Sequence, residues 1–187
     1  MSKRNNKIKK IVVAVLFIGT VIGGFYGYYY YQHPAVITDF VDSRDTQFIL
    51  ESFKRDWYWL VEGKDYDPAY MLANRASSKN PIHKGNFTIK VAYEYDKPVG
   101  FVIYMQKKFY LGHIRFIYVA PEFRSKGWSD KLLDYAVQDL IKRGCTKIDL
   151  VTRATNHSAM KLYLRHGFKE VRRDDGFVDF EYAVPEK

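Results

Sequence analysis

Between Phe87 and Val119 apolar residues recur at every second position. Phe87, Ile89, Val91 and Tyr93 alternate, the spacing of a strand with one buried face. Asp96-Lys97-Pro98 predicts a turn and Val99 to Met105 a second strand, which makes a hairpin. Leu111 to Val119 reads as a third strand, with Ile114, Phe116 and Tyr118 alternating against His113, Arg115 and Ile117. Then the period changes. Leu132, Leu133, Ala136, Val137, Leu140 and Ile141 repeat as one helix face. Lys142 and Arg143 suit its last turn, and Gly144 suits the position after it. Ile148 to Thr152 predicts a strand, Asn156 caps a helix running to Arg165, and Gly167 ends it. Phe168 to Val171 and Phe177 to Tyr182 are two closing strands.

Before Phe87 the signals are weaker. Val36 to Phe40 reads as a strand. Ser43 reads as the cap of a helix carrying Phe48, Ile49 and Phe53, with Trp57, Tyr58 and Trp59 near its end. Asp67 to Ala76 predicts a second helix, closed by Asn80-Pro81. The order β-α-α-β-β-β-α-β-α-β-β is that of an α+β domain, without internal repeat, over residues 36–187.

The amino end is different. Residues 11–31 carry no charge, and roughly 20 such residues span a bilayer core of about 30 Å. Phe25, Tyr26 and Tyr28 to Tyr31 suit the membrane–water interface. A cleaved signal peptide would need a small-x-small site, and none follows. A surface helix would need a charged face, and there is none; a buried core helix is a further alternative, though nothing amphipathic marks it. The expectation is an uncleaved, single-pass transmembrane helix over 11–31, with a basic flank over 1–10 and a linker over 32–35. Gly19, Gly23 and Gly27 share one face, either as a packing seam or as the ordinary glycine of membrane helices. Five Lys/Arg on the amino flank predict that this end is cytoplasmic. The same five account for much of the formal charge of +9; without them 25 basic residues face 21 acidic ones. That mild balance speaks against a nucleic-acid partner. A single cysteine, Cys145, excludes an internal disulfide, and no metal site is expected.

Chemistry gathers after the third strand. Val119-Ala-Pro-Glu-Phe-Arg-Ser-Lys-Gly-Trp-Ser129 joins it to the strong helix. Unpaired N–H groups and the helix dipole make such a start an anion site. The stretch Ile117 to Ser129 resembles the acetyl-CoA signature of the GCN5-related N-acetyltransferases (GNAT), Arg/Gln-x-x-Gly-x-Gly/Ala, with Arg124 and Gly127 matching and Ser129 in place of the last small residue. Asn156-His-Ser-Ala-Met-Lys-Leu-Tyr-Leu-Arg-His-Gly-Phe168 resembles a second motif of that family at every fixed position. The resemblance covers about residues 36–183. It implies a mixed central sheet of six to seven strands, helices on both faces, and a splay between the third strand and residues 147–151. It implies acetyl-CoA as co-substrate and a primary amine as acceptor, attacked directly in a ternary complex. Backbone groups of Ile117, Tyr118 and Val119 would bind the pantetheine. The amides of Arg124, Ser125, Lys126, Gly127, Trp128 and Ser129 would hold the pyrophosphate. Asn156 would touch the cofactor, and Tyr163 would protonate the leaving thiolate.

This chain departs from the pattern in places. Asp130 puts a negative charge beside the phosphate loop, with Lys126 and Lys131 to offset it. Relatives that acetylate ribosomal-protein amino termini carry a glutamate five residues before the motif asparagine; here that residue is Val151. Asp149, His113 and Glu94 are the alternative bases, and a water chain is another. The aromatic residues Trp57, Tyr58, Trp59, Tyr66 and Tyr70 favour a peptide amine. A small polyamine would want acids, for which Glu62, Asp65 and Asp67 are candidates. Asn86 and Asn156 begin glycosylation sequons. Acetyl-CoA is made in the cytosol, whereas the charge rule places the domain on the other side of the anchor. The compartment is supplied with acetyl-CoA, or the anchor is inverted, or the domain is a non-catalytic binding module tethered at the membrane.

Overall fold

The computed structural model describes residues 35–61, 65–73 and 87–185. The span 11–31, its flank, most of the linker, Glu62 and Asn80-Pro81 lie outside the described residues. Among the described residues no helix is long and apolar enough to cross a membrane. Val36 and the hairpin tip 94–97 group in one compact unit and residues 37–93 and 98–187 in another, which holds everything described below except Val36 and that tip.

The elements are β1 (Val36–Asp39), α1 (Asp42–Arg55), α2 (Trp57–Leu60), α3 (Pro68–Ala73), β2 (Thr88–Glu94), β3 (Lys97–Lys108), β4 (Leu111–Val119), a 3-10 turn (Pro121–Phe123), α4 (Trp128–Lys142), β5 (Lys147–Arg153), α5 (His157–Arg165), β6 (Lys169–Asp174) and β7 (Phe177–Ala183). One seven-stranded sheet has the order β1-β2-β3-β4-β5-β7-β6. β4 and β5 pair parallel, whereas β3–β4, β5–β7 and β6–β7 pair antiparallel. The sheet is therefore mixed, as expected.

Apolar cores lie on both faces. Ile114, Ile148, Leu150 and Phe180 pack with Leu132, Leu133, Ala136 and Leu140 of α4. Ile89, Val91, Phe101, Ile103 and Phe116 pack with Ile49 and Phe53 of α1. Burying a large apolar side chain is worth about 1.5–3 kcal/mol, so these two layers hold the sheet between helices. At the edge, every residue of β6 is exposed. Arg172 pairs with Asp179 at 2.6 Å and Arg173 with Glu170 at 2.8 Å. Such a charged strand discourages edge-to-edge pairing.

Three local expectations need correction. Ser43 does not cap α1. The cap residue is Val41, without a side-chain bond of its own. Its N–H donates to Oδ2 of buried Asp45 at 2.7 Å. Burial raises the Asp45 carboxyl, but bonds from Arg44, Tyr93 and Val41 together hold it below the usual range. A full charge inside the first helical turn thus replaces a hydroxyl. Trp57 to Trp59 do not end α1 either, because the chain breaks at Asp56 and they form α2. The hairpin turn is Tyr95-Asp96, both left-handed, with φ 52° and 63°. A two-residue turn with both φ positive matches the twist of its strands, and Lys97 and Pro98 already lie in β3.

Gly100 in β3 opposes Val119. A Cβ there would stand 2.4 Å from the Tyr118 carbonyl oxygen. Only glycine lets β3 pack so close to this end of β4.

Candidate active site

β4 and β5 start as partners and then part. Leu111, Gly112, His113 and Ile114 face Lys147, Ile148, Asp149 and Leu150, and there the ladder stops. Yet β4 continues to Val119 and β5 to Arg153. The cause lies on the other side of β4. Ile103 pairs with Phe116 and Tyr104 with Ile114, so Arg115 is an extra residue, a bulge. Bulges bend a strand and sharpen its twist. The edge of residues 115–119 that faces β5 has no strand partner among the described residues.

A cleft fills the gap. Its walls include Ile114 to Ile117 of β4, Val151 to Arg153 of β5, Asn156, Ala159 and Tyr163 around α5, and Trp59 to Val61. Arg153 fastens the last wall. It donates to the carbonyls of Tyr58 at 2.6 Å and Val61 at 2.9 Å. Its guanidinium lies 4.2 Å from the Tyr58 ring centre and 5.0 Å from that of Phe177. Among the described residues lining the cleft none is Asp or Glu. Asp65 is exposed and Asp67 caps α3 through bonds to the amides of Ala69 and Tyr70, so neither builds the acidic pocket considered for a polyamine.

Tyr163 is 8% exposed and packs 5.6 Å from Phe180 and 6.1 Å from Phe168. Burial alone pushes its phenol up. It therefore keeps its proton at every working pH. Asn156 caps α5, its Oδ1 accepting from Ala159 N at 3.2 Å, and it also borders the cleft.

Beyond β4 the phosphate loop divides the expected residues. Ile117 lines the cleft. The Tyr118 hydroxyl instead meets Arg55 and, at 3.0 Å, Asp56. The Val119 carbonyl accepts from Arg124 Nε at 3.0 Å, and Arg124 also pairs with Asp56 at 3.3 Å. The Arg124 amide bonds the Pro121 carbonyl at 3.2 Å. Arg124 thus braces the loop against β4. The amides of Ser125, Lys126, Gly127 and Ser129 have no backbone acceptor among the described residues. Ser125 and Gly127 are left-handed, with φ 62° and 80°. The first helical bond runs from Lys131 N to the Gly127 carbonyl. The result is a run of open N–H groups at the positive end of α4. Asp130 does not face this run alone. It pairs with Arg165 and lies 3.6 Å from His166, which hold its carboxyl below the usual range against the opposing effect of burial. Lys126 and Lys131, expected to offset it, lie over the rings of Phe123 and Trp128.

Two of the alternative bases meet. His113 lines the cleft, and its Nδ1 is hydrogen-bonded to Asp149, which does not line it. Glu94 ends β2 at the hairpin and does not line it. Arg115 and Arg153 escaped sequence reasoning, since one sits at a bulge and the other bonds carbonyls more than ninety residues away. Among the described residues no group of three His, Cys, Asp or Glu is placed to hold a metal.

Known proteins place this architecture. Two curated relatives match in part. N-alpha-acetyltransferase 30 of Xenopus laevis is 34% identical over 68 residues, 36% of this chain and 25% of that one. An uncharacterized N-acetyltransferase of Methanocaldococcus jannaschii is 35% identical over 80 residues, 40% of this chain and 35% of that one. The matched segment spans about a quarter to a third of their length. Solved structures share the fold over more of the chain. Ard1 from Thermoplasma volcanium superposes with a TM-score of 0.65 at 19% identity, over 81% of this chain and 99% of its own. The PaiA N-acetyltransferase from Thermoplasma acidophilum, in complex with coenzyme A, gives 0.62 at 19%, over 80% and 99%. The ribosomal-protein-S18-alanine N-acetyltransferase from Escherichia coli gives 0.61 at 17%, over 82% and 96%. The model of the Acetyltransferase (GNAT) family matches residues 46–168, and with its parted strands and open helix start the chain belongs to that family.

Proposed function

We propose that this protein transfers the acetyl group of acetyl-CoA to a primary amine of a peptide or protein, by direct attack in a ternary complex. The observation that carries this reading is the parting of β4 from β5 beside the open amides before α4. The edge of residues 115–119, without a strand partner among the described residues and with only the Val119 carbonyl already bonded by the Arg124 side chain, fits the amide-bearing pantetheine arm, which can bond the rest of it as a strand would. Ser125, Lys126, Gly127 and Ser129 offer N–H groups to the diphosphate. Asn156 and Tyr163 border the space between, where the thioester would lie. The amine nitrogen attacks the carbonyl carbon, the N–C bond forms, the C–S bond breaks, and Tyr163 gives its proton to the sulfur.

The cleft lining supports a peptide acceptor. Arg115 and Arg153 stand on its two strands without a carboxylate among the described lining residues. A polycation would meet that like charge with every one of its ammonium groups, whereas a peptide end brings one ammonium and carbonyl dipoles. The test is turnover by the full chain with acetyl-CoA and a pool of short peptides carrying free α-amines, against spermidine. Peptides are expected to be acetylated at least tenfold faster. Saturable spermidine acetylation with inert peptides would overturn the preference. Failure to bind acetyl-CoA at millimolar concentration would overturn the transferase reading. A second reading, a non-catalytic CoA-binding module, draws on Val151, which is 40% exposed and carries no proton-accepting group.

Residues 11–31 are the proposed anchor, with the amino end cytoplasmic. Alkaline carbonate extraction should leave the chain in the membrane pellet. Release into the supernatant would sink the anchor.

A further inference from the structure

A pair of side chains stands at the cleft outside the proposed transfer: His113 lines it, and Asp149, which does not, is bonded to His113. His113 of β4 and Asp149 of β5 face each other one rung before the strands part. His113 is 5% exposed and borders the cleft. Its Nδ1 is hydrogen-bonded to Asp149 Oδ1, and both Asp149 oxygens lie 3.2 Å from Lys107 Nζ. Burial raises the Asp149 carboxyl, but His113 and Lys107 together hold it below the usual range. An ionised carboxylate only accepts hydrogen bonds. In the neutral ring Nδ1 therefore carries the proton and Nε2 the lone pair. No described residue bonds Nε2. Val151, where some relatives keep a glutamate, lies two residues beyond Asp149 on the same face of β5.

We propose that His113 Nε2 takes the proton of the acceptor ammonium, directly or through one water, while Asp149 positions the ring and stabilises the imidazolium. This rests on the acetyltransferase reading. The protons balance. The ammonium gives one proton to Nε2, which later passes it to solvent. The free amine then attacks the thioester. Its second proton replaces the one that Tyr163 gives to the sulfur. A neutral imidazole nitrogen with a free lone pair is well matched to this task.

The charged and titratable groups around the ring are Asp149 and Arg153 on β5, Lys107 on β3, Arg115 on β4, Tyr66 before α3, and Tyr163 on α5. Glu181 on β7, the register partner of Asp149, is held by Lys147 at 2.7 Å. Only the unprotonated ring acts as a base, so activity should rise with pH as the base loses its proton and then level off. His113→Gln should lose that rising limb and fall about 100-fold on the plateau. Asp149→Asn removes the charge that stabilises the imidazolium. Its limb should move to lower pH while its plateau falls about tenfold.

The experiment measures kcat/KM from about pH 5.5 to about pH 9 for the full chain and both variants, using acetyl-CoA and the free-amine peptide pool as probes. Acetyl-CoA affinity is read in parallel and should stay within about twofold. Nitrogen-15 NMR of the wild-type histidines supplies a readout that needs no acceptor, and Nδ1–H on His113 is expected. The proposal falls if His113→Gln keeps the wild-type pH profile, if Asp149→Asn lowers the plateau without moving the limb, or if the proton sits on Nε2. Should His113→Gln fail to fold, Asp149→Asn and the NMR tautomer still decide. A wild-type chain that binds no acetyl-CoA defeats the transferase reading instead.

Discussion

Tyr163→Phe is expected to slow acetyl transfer by about 100-fold while leaving the protein as stable as before. The two halves of this expectation have separate physical grounds. The phenol is buried against Phe168 and Phe180, and only burial shifts its titration. Removing a buried hydroxyl ordinarily costs about 1–3 kcal/mol, because its partner is orphaned. Here no described residue bonds the hydroxyl, so phenylalanine fills the same space and orphans nothing. Thermal unfolding should shift by no more than the few tenths of a kcal/mol typical of neutral changes. The catalytic half follows from the leaving group. The C–S bond breaks faster if the developing thiolate receives a proton, and a placed acid contributes about 10² to 10⁴ in rate. A 100-fold loss corresponds to about 2.7 kcal/mol in the transition state. Acetyl-CoA affinity should hold, since a proton donor to the leaving sulfur acts mainly in the transition state. Calorimetry and steady-state rates on the same sample make the check. A folded variant with an unchanged kcat would remove Tyr163 from the chemistry and leave it a core residue.

What the sequence disclosed and what it hid divide along physical lines. Strands with one buried face and a long amphipathic helix carry their period in the chain, so β4, α4 and α5 lie close to where alternation, capping and terminal glycines put them. The open helix start after β4 was legible for the same reason, since Gly127 and the basic residues beside it are local. The His113–Asp149 pair was not. It exists because two strands 36 positions apart run parallel in one register. Nothing in either strand alone states that register. The bulge at Arg115 is hidden similarly, because it is a mismatch between β3 and β4 rather than a property of either. The cap of α1 misled for another reason. A hydroxyl at Ser43 has the right chemistry, but a buried aspartate tied to Arg44 and Tyr93 holds the helix start more strongly. Tyr95 was passed over as a turn residue because its left-handed φ is imposed by the two-residue hairpin, against its own preference.

The paired and unpaired parts of β4 divide the work of the site. Where β4 and β5 remain joined, the rigid ladder holds an imidazole and a carboxylate in mutual reach, as a base requires. Beyond Ile114 and Leu150 the ladder opens, and the freed backbone edge is the proposed surface for a ligand with amides of its own. The bulge that opens it also places Arg115 in the cleft. Arg153 closes the far side by tying residues 58 and 61 to the end of β5. The proposed base and the proposed cofactor edge are thus successive stretches of one strand.

The sharpest test of the cofactor end is Gly127→Asp, expected to weaken acetyl-CoA binding by at least 100-fold. Gly127 has φ 80°, and a Cβ built on it meets nothing within 4 Å. The new side chain therefore clashes with no protein atom. Backbone strain is the first competing explanation for any loss. A left-handed residue with a side chain costs about 1–2 kcal/mol, but aspartate and asparagine tolerate that region better than most. Gly127→Asn carries nearly the same strain and bulk without the charge. It should weaken binding about tenfold at most. The remaining difference is electrostatic. A carboxylate about 4 Å from a phosphate charge at the surface is opposed by about 4 kcal/mol before salt screening. Screening lowers that figure, so the gap between the two variants should narrow as salt rises. Calorimetric titration of both variants at low and high salt separates the terms. If Gly127→Asp binds acetyl-CoA as tightly as Gly127→Asn at every salt concentration, the diphosphate does not lie at the start of α4.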